Sequence, residues 1–439
     1  MTASTPKATQ AGSLGLVSLT GSVFAFKFVS AVVGGAVVVL TARQLGPTGR
    51  GVLVLLVTAS SFALLVVGLG INLSGRIHLV SSDHPVTSGG FLGLSCALSA
   101  IQVLVCLILG VILLPLVHVR LSVGQEMAFG LLGASMLAQY VLLDVLNAFG
   151  HLSSSALIDA GGSVTQLILV IMLIAGDQTK VTPFVIALTA GNGMQILISL
   201  AALKHFGVSI LPHYRRREWI LLVRSGLPAV IMGFAQVLAF RMDRYLVGAV
   251  LSPTAVGVYS VAATAPELLR LLPLSLSQPI FHRIAAGLAV PDDFRRIRIL
   301  CLVVVLLSVG VAFTVAPAAV RIFFGAKFSG AATPLRILLL GEFGVAIFYF
   351  DGGALFALNE TWRAAVAVIA AFLLIAVGDV MLIPPYGLAG AAWASVAAYS
   401  VMGLTAHVFL GREQKREHAR TLETTRRQAI PPDASSAGG

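Results

Sequence analysis

Apolar residues run through this chain in long unbroken stretches, separated by short polar breaks, rather than alternating with polar ones. About 20 apolar residues carry an α-helix across a bilayer. Continuous runs of that length exclude the alternating pattern of a transmembrane barrel. Read this way, the sequence predicts twelve spans, at 14–42, 50–77, 88–116, 124–148, 155–176, 182–204, 219–250, 255–282, 297–320, 333–358, 362–384 and 387–411. Gly and Pro recur inside several of them, as membrane helices tolerate. The expected fold is all-α and integral to the membrane.

Composition agrees. Of 439 residues, 57% are hydrophobic and 11% charged, against about 25% charged in a soluble domain, and the mean hydropathy is +0.96. The net charge of +11 does not point to nucleic acid. Its basic residues gather in a few connections, such as Arg215, Arg216 and Arg217 or Arg295, Arg296 and Arg298, and after Arg412, as expected beside an anionic cytoplasmic leaflet. The positive-inside bias then places both termini in the cytoplasm of a multi-pass cell-membrane protein. Arg43, Arg50, Arg120, Lys180, Arg321, Lys327 and Arg336 fall outside. The chain divides into a cytoplasmic arm (1–13), a six-helix lobe (14–204), a basic cytoplasmic linker (205–218), a second six-helix lobe (219–411) and a tail (412–439). Mixed charges and the ending PPDASSAGG make the tail an expected disordered segment, because it buries too little apolar surface to fold. Lys7 ahead of an overlong first apolar run does not read as a cleavable signal.

Several chemistries are excluded. HExxH, GxSxG, CxxC and any Cys/His cluster are absent, and Cys96, Cys106 and Cys301 sit inside apolar runs. GPTGRG at Gly46 lacks the Lys-Ser/Thr ending of a P-loop. No catalytic residue, metal or cofactor is expected, and the loops are too short to hold a soluble catalytic domain.

Charges inside the spans carry the candidate chemistry. The stretch from Trp219 to Leu251, which contains the seventh span, holds Arg241, Asp243 and Arg244. A basic residue at the bilayer centre costs about 2.5–3.5 kcal/mol on insertion scales, so it usually faces a wet cavity or a partner. Arg241 and Arg244 are three apart and share a helix face; the alternative is that they snorkel outward, since they lie about 9 Å beyond the midpoint of the span. Asp243 can hold either arginine or answer Arg270. Lys27 stands at the middle of the first span, where it either faces the same cavity or pairs with a carboxylate on a neighbouring helix. In the eighth, Glu267 and Arg270 are three apart between Pro266 and Pro273, the spacing of an ion pair in a kinked helix or of a gate. Asp144, Asp159, Glu342, Asp351 and Asp379 are further carboxylates in or near spans, each eligible to carry a coupling proton or sodium ion.

The chain also repeats itself. LGPTGRGV (45–52) and LSPTAVGV (251–258) each join two spans, and their threonines, Thr48 and Thr254, stand 206 positions apart. Six spans separate the copies, an even number, so the two lobes cross in the same sense. A pseudo-two-fold along the membrane normal is expected, with a site between the lobes near the midplane.

The runs ARQLGPTGRGVLVLLVTASSFALLVVGLG (42–70), RMDRYLVGAVLSPTAVGVYSVAATAPELLRLLPLSLSQPIFHRIA (241–285) and FFGAKFSGAATPLRILLL (323–340) resemble segments of polysaccharide-exporting (Wzx-like) flippases. These belong to the multidrug, oligosaccharidyl-lipid and polysaccharide exporter superfamily. The resemblance implies two lobes around a central cavity worked by alternating access. It also implies a lipid-diphosphate-linked oligosaccharide moved from the cytoplasmic to the outer leaflet, with glycosyltransferases and a polymerase as pathway partners. Arginine suits a diphosphate because its planar fork binds phosphate oxygens bidentately. Arg241, Arg244 and Lys27, with Asp243, are therefore the expected substrate-binding set, and Glu267 with Arg270 the expected gating pair. Two other readings stand beside this one: a cation-coupled multidrug exporter, which needs a carboxylate-lined cavity, and an integral-membrane acyl- or glycosyltransferase, which needs a His or paired-carboxylate site.

Overall fold

The computed structural model describes residues 11–80, 86–285, 291–358 and 360–429, and its regular elements are all helical. The helices are α1 (Ala11–Val67), α2 (Ile71–His78), α3 (Ser88–Ile112), α4 (Val123–Ala148), α5 (Leu152–Ala175), α6 (Val181–His205), α7 (Arg216–Val250), α8 (Pro253–Leu269), α9 (Leu271–Ala285), α10 (Pro291–Ala319), α11 (Ala332–Ala357) and α12 (Thr361–Ala429). Nine stretches among the described residues are long and apolar enough to cross a membrane. Two of them, in α1 and α12, each fold back on themselves and cross twice; α7, 35 residues long, completes the twelve predicted crossings.

The reversals in α1 and α12 have a local cause. Gly46 takes φ 66° and ψ −179°, and Gly387 takes φ 59° and ψ −136°. Both are conformations that side-chain-bearing residues rarely adopt. Pro47 then opens the second limb of α1 and Pro253 opens α8, where a missing N–H costs nothing. Ser252 caps α8 by accepting the Ala255 N–H at 3.2 Å. The second and eighth crossings, equivalent under the repeat, are both bent: one at Gly70 (φ 66°) before α2, the other at Arg270 between α8 and α9.

Helices α1–α6 form one lobe and α7–α12 the other, with most packing inside each lobe. A large apolar cluster including Ala42, Leu55, Val256, Val261 and Phe328 joins the lobes at the hairpin end. At the opposite end, the linker docks on the first lobe. The His213 N–H donates to the Gly89 carbonyl at 3.0 Å, and the Trp219 indole donates to the Gly90 carbonyl at 3.0 Å. Glu218 accepts from the backbone and hydroxyl of Thr87 at 3.1 and 2.9 Å. The outward faces of α3, α5, α10 and α12 leave Leu104, Ile108, Met172, Leu307, Leu373 and Met381 exposed. In water that surface would drive association; against lipid it is the solvent-matched face.

Two expectations need correction. Residues 412–429 are helical, as the end of α12, rather than disordered; residues 430–439 lie outside the described part. Strong helix formers dominate this stretch, it continues an established helix, and Glu413 anchors it through ion pairs with Arg363 and, at 3.7 Å, Arg416. The linker also ends earlier than expected, since Arg216, Arg217 and Glu218 already belong to α7.

Candidate functional site

A cavity of about 250 Å³ lies between the lobes, lined by Gly34, Val37, Val38 and Thr41 from the first limb of α1, by Arg50, Leu53, Val54, Val57 and Thr58 from its second limb, by Gln166 of α5 and Leu188 of α6, and by Arg241, Arg244 and Glu267. The span-seven arginines thus do share a face, and it looks into the protein rather than toward lipid. Three guanidinium groups line this space against one carboxylate.

Each arginine is held differently. Arg244 is 6% exposed and donates from Nη2 to Oε1 of Glu267 in an ion pair between α7 and α8. Its Nε is buried without a partner among the described residues. Arg50 donates from Nη1 to the Thr41 hydroxyl at 3.1 Å, across the hairpin of α1, and its Nε is likewise buried and unpartnered. Arg241 lines the cavity and forms no ion pair or hydrogen bond among the described residues. The arrangement therefore offers an excess of positive charge and spare N–H donors in a largely apolar enclosure. An anion with several oxygens matches it, since charge-assisted bonds to guanidinium are the strong ones.

Arg50 was missed by reading the sequence, which assigned it to the outside loop. Its side chain reaches back across the hairpin to Thr41 and so lines the cavity. No hydropathy signal marks a basic residue at a hairpin as cavity-facing. Lys27, by contrast, is exposed on the first limb of α1 and is not among the cavity's lining residues. It does not join Arg241 and Arg244.

The pairing expected in the eighth span is also corrected. Glu267 pairs with Arg244, while Arg270 turns away to Glu342 of α11, its Nε 2.9 and 3.1 Å from the two carboxylate oxygens. Arg270 keeps helical φ and ψ, and its N–H still reaches the Pro266 carbonyl at 3.1 Å; the choice of partner is made by the neighbouring helices, which bring Arg244 of α7 to Glu267 and Glu342 of α11 to Arg270. Its guanidinium is packed between the rings of Phe240 and Tyr399, 4.6 and 4.8 Å from their centroids. Its charge is thus met within the second lobe, by the carboxylate and by the faces of the two rings. Asp243, expected to hold an arginine, instead accepts the Tyr259 hydroxyl at 2.9 Å and the Arg244 backbone N–H at 2.8 Å. It points into the second lobe, away from the cavity.

The remaining carboxylates separate cleanly. Asp144 pairs with Arg76, Glu342 with Arg270, and Asp351 with Arg298 at 3.0 Å and His407 at 2.9 Å. Asp159 accepts the Ser30 hydroxyl at 3.0 Å. Asp379 alone of the five is completely buried with neither oxygen partnered among the described residues.

The architecture is that of a known class of membrane transporter. An inward-facing multidrug resistance MATE transporter of the MOP superfamily superposes with a TM-score of 0.70 at 14% identity, over 90% of this chain and 96% of that one. The lipid II flippase MurJ in an inward closed conformation gives 0.71 at 14% identity, over 89% and 87%. The MATE multidrug transporter DinF-BH gives 0.69 at 16% identity, over 94% and 98%. The protein is thus a multi-pass membrane protein with the fold of that superfamily. Within it, residues 17–285 match the model of the polysaccharide biosynthesis protein family, and the chain belongs to that family. No curated protein matches the sequence.

Proposed function

We propose that the protein is a flippase that carries a lipid-diphosphate-linked oligosaccharide from the cytoplasmic to the outer leaflet by alternating access of its two lobes. The observation that carries the proposal is the charge of the central cavity: Arg50, Arg241 and Arg244 against Glu267 alone. A diphosphate entering a low-dielectric space needs such a set, and bidentate guanidinium contacts supply it. Membership of a polysaccharide biosynthesis family supports the saccharide part of the substrate. A cationic drug would meet three like charges in the same space, which disfavours the multidrug reading. The hairpins, with Thr48, face outward, and both termini and the basic linker lie in the cytoplasm, in keeping with the positive-inside bias; an inward-facing Arg50 removes one basic residue from the outer set and sharpens that bias.

Asp379 is the coupling carboxylate in this scheme. A buried carboxylate without a protein partner calls for a proton or a cation beside it, and Asp379 interacts electrostatically with Asp243 across the second lobe. The test is reconstitution. Proteoliposomes containing the purified protein should move a lipid-diphosphate-linked tetrasaccharide between leaflets, with excess soluble diphosphate-sugar inhibiting. Movement of cationic dyes but not of the lipid-linked saccharide would overturn the proposal.

A further inference from the structure

The two hairpins that carry the sequence repeat meet face to face. Thr48 and Thr254 occupy the same position in the two copies and share a hydrogen bond through their hydroxyls at 2.8 Å. Three residues further into each helix stands a glycine, and the contact there is reciprocal. A methyl group on Gly51 would overlap the Pro253 carbonyl, and one on Gly257 would overlap the Pro47 carbonyl. Neither glycine has a positive φ, so neither helix requires glycine for its own conformation. Each requires it because the other lobe's proline carbonyl is seated against it, the approach found in Cα–H···O contacts at helix interfaces.

This junction has three further properties. It sits at the end of the central cavity, since Arg50, which lines the cavity, is the immediate neighbour of Gly51. No ion pair joins the two hairpins among the described residues, so separating them strands no charge. The surface on one hairpin is complementary to the equivalent surface on the other, as an isologous contact on a two-fold axis must be.

We propose that the two Pro-Thr hairpins form a self-complementary latch, which closes the hairpin end of the cavity and parts once in each transport cycle. Closure seats each glycine on the opposite proline carbonyl and pairs the two threonine hydroxyls. Parting withdraws the hairpin that bears Arg50 and so moves one of the cavity's three cations. The inference rests on the alternating-access reading above and adds to it the place where one gate divides.

The test uses the full-length protein with Cys96, Cys106 and Cys301 replaced by alanine. In Thr48→Cys/Thr254→Cys, oxidation in membranes should join the pair, stop flipping of the lipid-linked saccharide, and reductant should restore it. A second readout needs no substrate. Val57 lines the cavity, and labelling of Val57→Cys by a membrane-impermeant maleimide from the hairpin side should rise several-fold when Gly51→Ala or Gly257→Ala is added. Gly353→Ala, whose added methyl group meets no atom within 4 Å, should leave it unchanged. Absence of crosslinking while both cysteines react with maleimide would overturn the latch. So would a crosslink that leaves flipping intact, or glycine variants that label like the parent. Crosslinking and labelling are read without substrate, so they decide the latch whether or not the saccharide assignment holds.

Discussion

Arg241 and Arg244 sit three residues apart on one helix face, yet truncating them should have different consequences. Arg241 makes no ion pair or hydrogen bond among the described residues, so Arg241→Ala strands no carboxylate and should unfold like the parent. Its loss falls on the substrate. A charge-assisted hydrogen bond contributes about 1.5–3 kcal/mol, and each 1.4 kcal/mol is tenfold, so apparent affinity for the lipid-diphosphate saccharide should fall by roughly ten- to hundred-fold. Arg244→Ala instead leaves Glu267 unpaired. Removing one partner of a fully buried ion pair costs about 3–5 kcal/mol. The Glu267 side chain is 38% exposed, and it faces the cavity, so screening reduces the cost to about 1–3 kcal/mol. That is still a sizeable share of a net stability of about 5–15 kcal/mol, and Glu267→Gln added to Arg244→Ala should recover much of it. The assay pairs thermal unfolding in detergent with initial flipping rate against substrate concentration in proteoliposomes. The reasoning fails if Arg241→Ala is the variant that loses stability, or if it flips substrate with the parent's apparent affinity.

Asp379→Asn strands no protein partner, so its membrane abundance should be normal while ion- or proton-driven accumulation is lost; Asp351→Asn, which removes the negative charge that Arg298 and His407 share, should lower abundance instead. Truncation after Arg416 keeps the Arg363–Glu413–Arg416 anchor and should leave export intact, so loss of export at normal abundance would reveal a partner bound to the end of α12. Cysteines at Arg217 and Ser435 should react with impermeant reagent only from the cytoplasm and one at Thr48 only from outside, and labelling of Thr48 and Arg217 from the same side would refute the topology.

Much of this molecule was legible in the sequence because the membrane makes it so. Without water to satisfy backbone polar groups, an apolar run of sufficient length has essentially one solution, a helix. Twelve such runs gave the element order close to its observed boundaries. The copies LGPTGRGV and LSPTAVGV marked the two hairpins as equivalent, and the structure shows their threonines bonded to each other. Arg241 and Arg244 were found because a charge inside an apolar run is conspicuous, and their shared face followed from helical spacing.

What the one-dimensional pattern left open was the pairing of charges, because pairing depends on where helices bend and which neighbours they meet. Glu267 and Arg270 have the spacing of an ion pair, but the helices packed alongside offer each a different partner, Arg244 to Glu267 and Glu342 to Arg270. Asp243 lies between two arginines in sequence yet bonds to a tyrosine of α8. Arg50 reads as a loop residue until the folded hairpin sets its side chain against Thr41 and into the cavity, and Lys27 reads as a cavity residue until the first limb of α1 presents it elsewhere. Asp379 could be told from the other carboxylates only by the absence of any partner around it among the described residues. Periodicity fixes which residues share a face of one helix; only the packing of helix on helix decides what that face meets.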